Sequence, residues 1–350
     1  MAALNNEPVD RLTACPLACG LLRKLLPGNV TYREWSTNPK LFADAFIAGQ
    51  RKYNYDFTIG LMDLSVMAGD LGAHVRMDEE NTPFIDGHII DDPEDYEKLE
   101  VPDIRKGRCA TLLEGTRLMA EALNKETVTA GFLEGPLLTL SQSAGAERMF
   151  MDMFTNPDLI HKAMKVTTAY CLEMTEAFGQ TGVQGLCWDF LWGNYACLGD
   201  AEYSEFEADQ YASKVNAATK DNGMALAIHN CADLPHLDTQ IKKYKPAIYS
   251  MAYYPLIPGS PTVTEVIEKG YADDCLITGV VDPQLFIRGT PEKMAKATAD
   301  VCNEAKAALK ARGLNSTYCI APGCEVPPDI NAKLEQVEVF MDAVRTAGAM

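Results

Sequence analysis

The chain has 350 residues, with 49 Asp and Glu against 31 Lys and Arg, a formal net charge of -18, and 47% hydrophobic residues. A field of that sign repels polyanions, which disfavours nucleic acid as a partner. No uninterrupted apolar stretch reaches the roughly 20 residues of a membrane helix. The 11 cysteines are an odd number without the spacing of a small disulfide scaffold. Met1 is followed by AALNNEPVDRL, which has no apolar signal core. These features predict a reducing, cytoplasmic setting.

Short apolar runs alternate with longer amphipathic segments along the chain. The runs are Thr13–Cys19, Phe57–Asp63, Val128–Gly135, Gly185–Phe190, Met224–Cys231, Ala247–Tyr254, Cys275–Asp282 and Thr317–Cys324. Helical patterns follow at Pro157–Phe178, Glu202–Asp221, from Thr290-Pro291-Glu292 to Leu309, and at Asn331–Ala347. Strands alternating with helices imply a parallel sheet. Runs that are apolar throughout imply strands covered on both faces. A single (β/α)8 barrel with an N-terminal extension accounts for both features and for the length. The rival, a doubly wound open sheet, lacks a Gly-x-Gly-x-x-Gly turn after an early strand. The charged, turn-rich stretch 71–108 reads as an insertion after the second strand, either a lid over the barrel mouth or a solvated linker.

The strongest chemical signal is His229-Asn230-Cys231, where the fifth run ends. In a barrel the carboxyl ends of the strands open onto the active site. Cys324, in APGCEVPP at the end of the eighth run, is the natural third ligand. One imidazole and two thiolates leave a coordination position of zinc open, as catalytic sites do. Glu134, Glu325 and Asp63 fall at neighbouring strand ends, as a fourth ligand or as partners that orient His229. Asp189, Trp192, Asn194 and Tyr195 cluster in CWDFLWGNYACLGD and, with Tyr253 and Tyr254, offer a pocket for a flat organic substrate. Phe190 and Cys197 read as packing residues, and His236 as a surface or capping residue. Cys15 and Cys19 read as packing residues.

At these positions the sequence resembles the uroporphyrinogen decarboxylase superfamily, and within it the zinc methyltransferases of corrinoid-dependent methyl transfer. The resemblance rests on an ordered set of motifs: PVDRLTACP (Pro8 to Pro16), YNYDFTIGLMDLSVMAGDLGA (Tyr53 to Ala73), GFLEGPLLT (Gly131 to Thr139), His229-x-Cys231, and PGCEVPPDIN (Pro322 to Asn331). It implies a (β/α)8 barrel, zinc held by His229, Cys231 and Cys324, and a separate corrinoid (cobalamin) protein as methyl partner. A homodimer is compatible with it. The N-terminal segment carries Arg23 and Lys24 but not the Arg-rich pattern that grips propionates in the decarboxylases, which disfavours that activity.

Two directions of methyl transfer remain. Zinc could act as a Lewis acid on a methoxylated aromatic donor, the methyl passing to cobalt. Alternatively it could activate a thiol such as coenzyme M to take the methyl from cobalt. Aromatic residues are plentiful near the predicted mouth, cations are few, and Ala232-Asp233 follows His-x-Cys where coenzyme M enzymes often have Gly. These points favour O-demethylation as the expectation.

Overall fold

Each of the eight apolar runs contributes a strand to one parallel sheet. A computed structural model of the chain describes residues 1–252 and 260–350. The strands are β1 (Thr13–Ala14), β2 (Phe57–Gly60), β3 (Val128–Glu134), β4 (Gly185–Asp189), β5 (Ala225–Asn230), β6 (Ile248–Met251), β7 (Leu276–Val281) and β8 (Tyr318–Pro322). Neighbours from β2 through β8 pair in chain order, and β8 pairs with β1. The eight strands curl into a nearly closed barrel wrapped by helices, the (β/α)8 architecture.

The seam between β1 and β2 is bridged by one residue, Asp56. Its N–H donates to the Ala14 carbonyl at 2.9 Å, and its carboxylate accepts from the Ala14 N–H at 2.7 Å. Arg11 Nη1 donates to the same carboxylate at 2.7 Å. A side chain thus satisfies backbone groups that a strand pair would otherwise cover. The first predicted strand, Thr13–Cys19, is cut to two residues. Pro16 has no N–H for a ladder, Leu17 turns at φ 44°, and a 3₁₀ helix follows at Cys19–Leu25.

The helices follow the local code. Asn38 Oδ1 accepts from the Lys40 and Leu41 N–H groups and Pro39 opens the helix Pro39–Tyr53, a cap with proline at the first position. Thr290 and Pro291 start Pro291–Arg312 in the same way, and Gly313 at φ 70° ends it. Pro157–Phe178 extends to Thr181. Residues 200–221 are helical throughout, with a π-helical stretch at Ser204–Ala212. The last helix begins at Leu334, three residues later than predicted from Asn331.

The stretch 71–108 contains an antiparallel hairpin, His74–Arg76 with Phe84–Gly87, and a helical turn at Pro93–Lys98. Glu80, in the hairpin loop, pairs with Arg23, which also donates to the Gly20 and Pro328 carbonyls.

Period-two alternation decides what the barrel interior holds. Val128, Ala130, Gly185, Cys187, Ala225 and Ala227 line an apolar chamber of about 50 Å³ in its lower part. Further along several of the strands inward positions become polar. Among them are Glu134, Asp189, His229 and Ser250, at or near the carboxyl ends.

Candidate metal centre

Register places these four polar residues side by side. Glu134 on β3 pairs with Asp189 on β4, Asp189 with His229 on β5, and His229 with Ser250 on β6. His229 Nδ1 lies 2.9 Å from Ser250 Oγ. With that bond made, Nε2 is the nitrogen left to bind a metal. Cys231 follows immediately where the chain leaves β5, and Cys324 arrives two residues after β8. Ligand atoms of His229, Cys231 and Cys324 all lie within 4.8 Å of one another. The two sulfurs are 3.7 Å apart, far from a disulfide bond. Two thiolates at ~2.3 Å from a tetrahedral zinc stand about 3.8 Å apart, so the donor set fits that ion. The three residues together could hold a metal.

The charges agree with that use. The bond between the two thiols pulls Cys324 well below the usual thiol range and pushes Cys231 above it. Burial opposes protonation of His229, but its contact with Cys324 and the charge of Asp189 raise its pKa on balance. Asp189 is pushed up to about 7 by burial, with His229 opposing and Cys324 adding to the shift.

The turn between the two β5 ligands is built from Asn230. Its amide donates to the carbonyls of Phe190 at 2.9 Å and Gly193 at 3.0 Å, and its Oδ1 accepts from the Ala232 N–H at 3.0 Å. Gln240 joins the same network. Ser250 and Asn230 were not singled out by sequence reasoning. A serine inside an apolar run, and an asparagine between two ligands, were the signals available.

A cavity of about 80 Å³ opens beside the triad. Asp189, Glu325, Ser250 and Phe132 line it along with His229 and Cys324. Glu325 accepts from the Gly20 N–H at 3.3 Å. Asp63 receives Ser65 and the terminal nitrogens of Arg108. Glu134 is buried, neither oxygen has a partner, and burial with Asp63 and Asp189 nearby drives its carboxyl well above the usual range. No carboxylate among the described residues joins the 4.8 Å group.

The aromatic stretch after β4 goes elsewhere. Trp192 donates to Ser141 Oγ at 2.8 Å and packs edge-on against Phe150. Asn194 is buried and bonds within its own loop, to the Leu191 carbonyl and the Cys197 N–H. Tyr195 is exposed and donates to Asp200. None of the three lines the cavity beside the triad. Tyr253 and Tyr254 lie outside the described residues. Phe190 is buried in the core, whereas Cys197 is exposed. His236 is buried, not at the surface: its ring sits against Tyr195 and Tyr203.

Glu207, on the π-helical stretch, is a further buried acid that sequence reasoning missed. Its oxygens lack hydrogen-bond partners of good geometry, and burial pushes its carboxyl up to about 8, although the Leu137 N–H opposes this. A raised acid pKa favours the fold below the unfolded value near 4.5, and that advantage is lost as pH rises through about 8. We therefore expect Glu207→Gln to flatten the fall in stability between pH 5 and 8, worth about 4 kcal/mol at most for a shift of this size. Urea unfolding of both proteins across that range measures it, and parallel pH profiles would contradict it.

The sequence model described as uroporphyrinogen decarboxylase (URO-D) matches residues 1–347. The chain belongs to this family. Among curated relatives, the methylcobamide:CoM methyltransferase MtbA of Methanosarcina mazei is 22% identical over 302 residues, covering 85% of this chain and 86% of the relative. The protein of the same name from Methanosarcina acetivorans matches to the same extent. In three dimensions, a methyltransferase from Methanosarcina mazei superposes with a TM-score of 0.80 at 20% identity, over 98% of this chain and 96% of that one. A B12-independent methionine synthase from Shewanella sp. W3-18-1 shares the fold at a TM-score of 0.52 and 13% identity, over 87% and 86% of the two chains.

Proposed function

We propose that the protein is a zinc-dependent methyltransferase that passes a methyl group from the cobalt of a corrinoid protein to a small thiol. One observation carries this reading: His229, Cys231 and Cys324 converge at the carboxyl rim of the barrel beside a cavity. The activity for which the methanosarcinal relatives are named supports the thiol as acceptor. The opposite direction, from a methoxylated aromatic, draws on Asp189, which lines that cavity, on Trp192, Asn194 and Tyr195, which do not, and on Tyr253 and Tyr254, which lie outside the described residues.

A zinc ion in this site supplies Lewis acidity, which lowers the pKa of a thiol bound to it. The protein's own residues do the rest. Ser250 fixes the ring of His229, and the Asn230 network fixes the backbone that carries Cys231. Leu17, Ile59, Leu61 and Phe132 exclude water from the thiol's side of the site. The thiol releases its proton to solvent and the sulfur attacks the methyl carbon. The sulfur–carbon bond forms as the carbon–cobalt bond breaks, and its electron pair stays on cobalt, leaving Co(I). The hairpin at 74–87, tied through Glu80 and Arg23 to the segment after Cys324, is our candidate for a lid.

The test is zinc-loaded protein with methylcobalamin and coenzyme M, followed by the loss of the methylcobalamin spectrum. Thiol- and zinc-dependent demethylation is the expected result. Turnover of methoxylated phenols in its place would reverse the direction. Ser250→Ala should weaken zinc binding by about 10–100-fold, the usual cost of removing a partner that orients a ligand histidine. Competition with a chromophoric chelator measures this, and unchanged affinity would remove Ser250 from the site.

A further inference from the structure

The barrel interior beneath the metal triad is built from small residues. An eight-stranded barrel of this kind is ordinarily filled by layers of Val, Ile and Leu. Here Ala130 on β3, Gly185 and Cys187 on β4, Ala227 on β5 and Ala321 on β8 line the lower chamber of about 50 Å³. Ala130 and Ala227 remain 8% and 7% exposed, although each lies within its strand. Among the described residues no charged side chain lines this space, and its hydroxyls are those of Ser250 and Thr278. The chamber adjoins the site. Leu17, Ile59, Cys187 and Ser250 line both it and the cavity of about 80 Å³ beside the triad. Ser250 is also the residue whose hydroxyl meets His229. Ala227 precedes His229 by two residues on the same face of β5, about 7 Å further down at ~3.3 Å per residue.

Small residues in a barrel core forgo packing that larger ones would supply. Between them the two spaces, about 50 and about 80 Å³, approach the ~150 Å³ of an engineered apolar cavity that takes up benzene. The interior of an eight-stranded barrel is only wide enough for side chains or one small ligand, so a corrinoid carried on another protein presents its methyl group from the mouth. A thiol whose sulfur faces that methyl has its tail on the other side, toward the chamber. We propose that the thiol of this site carries an uncharged, apolar tail of butyl or phenyl size, and that this tail lies in the chamber beneath the metal. A butyl chain, with bonds of ~1.5 Å, covers the step from His229 to Ala227. The tail's direction rests on the reading of the site as a zinc centre that binds a thiol.

Three thiols of nearly equal acidity test it: ethanethiol, 1-propanethiol and 1-butanethiol. Binding is read on cobalt(II)-substituted protein from the sulfur-to-metal charge-transfer band, and methyl transfer from methylcobalamin on the zinc protein. Each added methylene should tighten binding about fourfold, as burial of one CH₂ group does, so that 1-butanethiol binds at least about tenfold tighter than ethanethiol. In Ala130→Leu, which fills the chamber from β3, that ratio should fall toward one. Ala130→Val, a smaller change, should give an intermediate ratio and decides the matter where the leucine variant does not fold. The cobalt spectrum without thiol shows that each variant retains its metal site. A wild-type ratio near one, or a ratio untouched by filling the chamber, overturns the inference and leaves the methyltransferase reading standing. If none of the thiols perturbs the cobalt, the thiol reading fails and the inference fails with it.

Discussion

Cys324→Ala is expected to lose stoichiometric zinc and, with it, methyl transfer. Cys324 reaches Cys231 across 93 residues of chain and is one of the three donors in the proposed site. Removing it leaves His229 and Cys231, a pair too few for a catalytic zinc site. Affinity should fall by more than the ~10–100-fold that follows loss of an outer partner. Activity should drop by at least as much, because the thiol then has no metal to ionise it at neutral pH. Metal analysis after gel filtration, beside a Cys319→Ala control, reads this directly. Cys319 is fully buried on β8, so its loss should lower stability but leave zinc in place. Full zinc in Cys324→Ala would exclude the triad as the metal centre.

The second large effect concerns the wall behind the site. The Asp63 side chain is fully buried and paired with Arg108, which also donates to Ser65 Oγ at 2.9 Å. Arg108→Met should destabilise the fold by about 3–5 kcal/mol, since it leaves a buried carboxylate without its cation. Most of that loss should be recovered in Arg108→Met/Asp63→Leu, where neither charge remains. Denaturant unfolding of the single and double variants measures both numbers. A loss under about 1 kcal/mol in the single variant would mean that water reaches Asp63 and that the pair is not sealed.

The barrel was legible because parallel strands covered on both faces leave an uninterrupted apolar signature. Seven of the eight runs sit on their strands with small shifts at the ends. The exception, Thr13–Cys19, is also physical: composition marked the run, but Pro16 and the turn at Leu17 stop the ladder after Ala14. The pair His229 and Cys231, proposed here as donors, was legible as well, because both fall where a strand ends. The aromatic cluster shows the opposite case. Proximity in sequence to Asp189 said nothing about direction, and Trp192 turns to Ser141 and Phe150 instead of the cavity.

By itself, then, the sequence determined the alternation of strands and helices, the acidic charge and the residues proposed here as metal donors, because these depend on local pattern and side-chain chemistry. Only the tertiary structure decided which residues meet. Register set Glu134, Asp189, His229 and Ser250 in one row. Closure of the barrel carried Cys324 to Cys231, and burial made acids of Asp189 and Glu207 that resist ionisation. The physical reason is that strand pairing and desolvation are long-range: they depend on partners tens of residues away, which no local window of the chain contains.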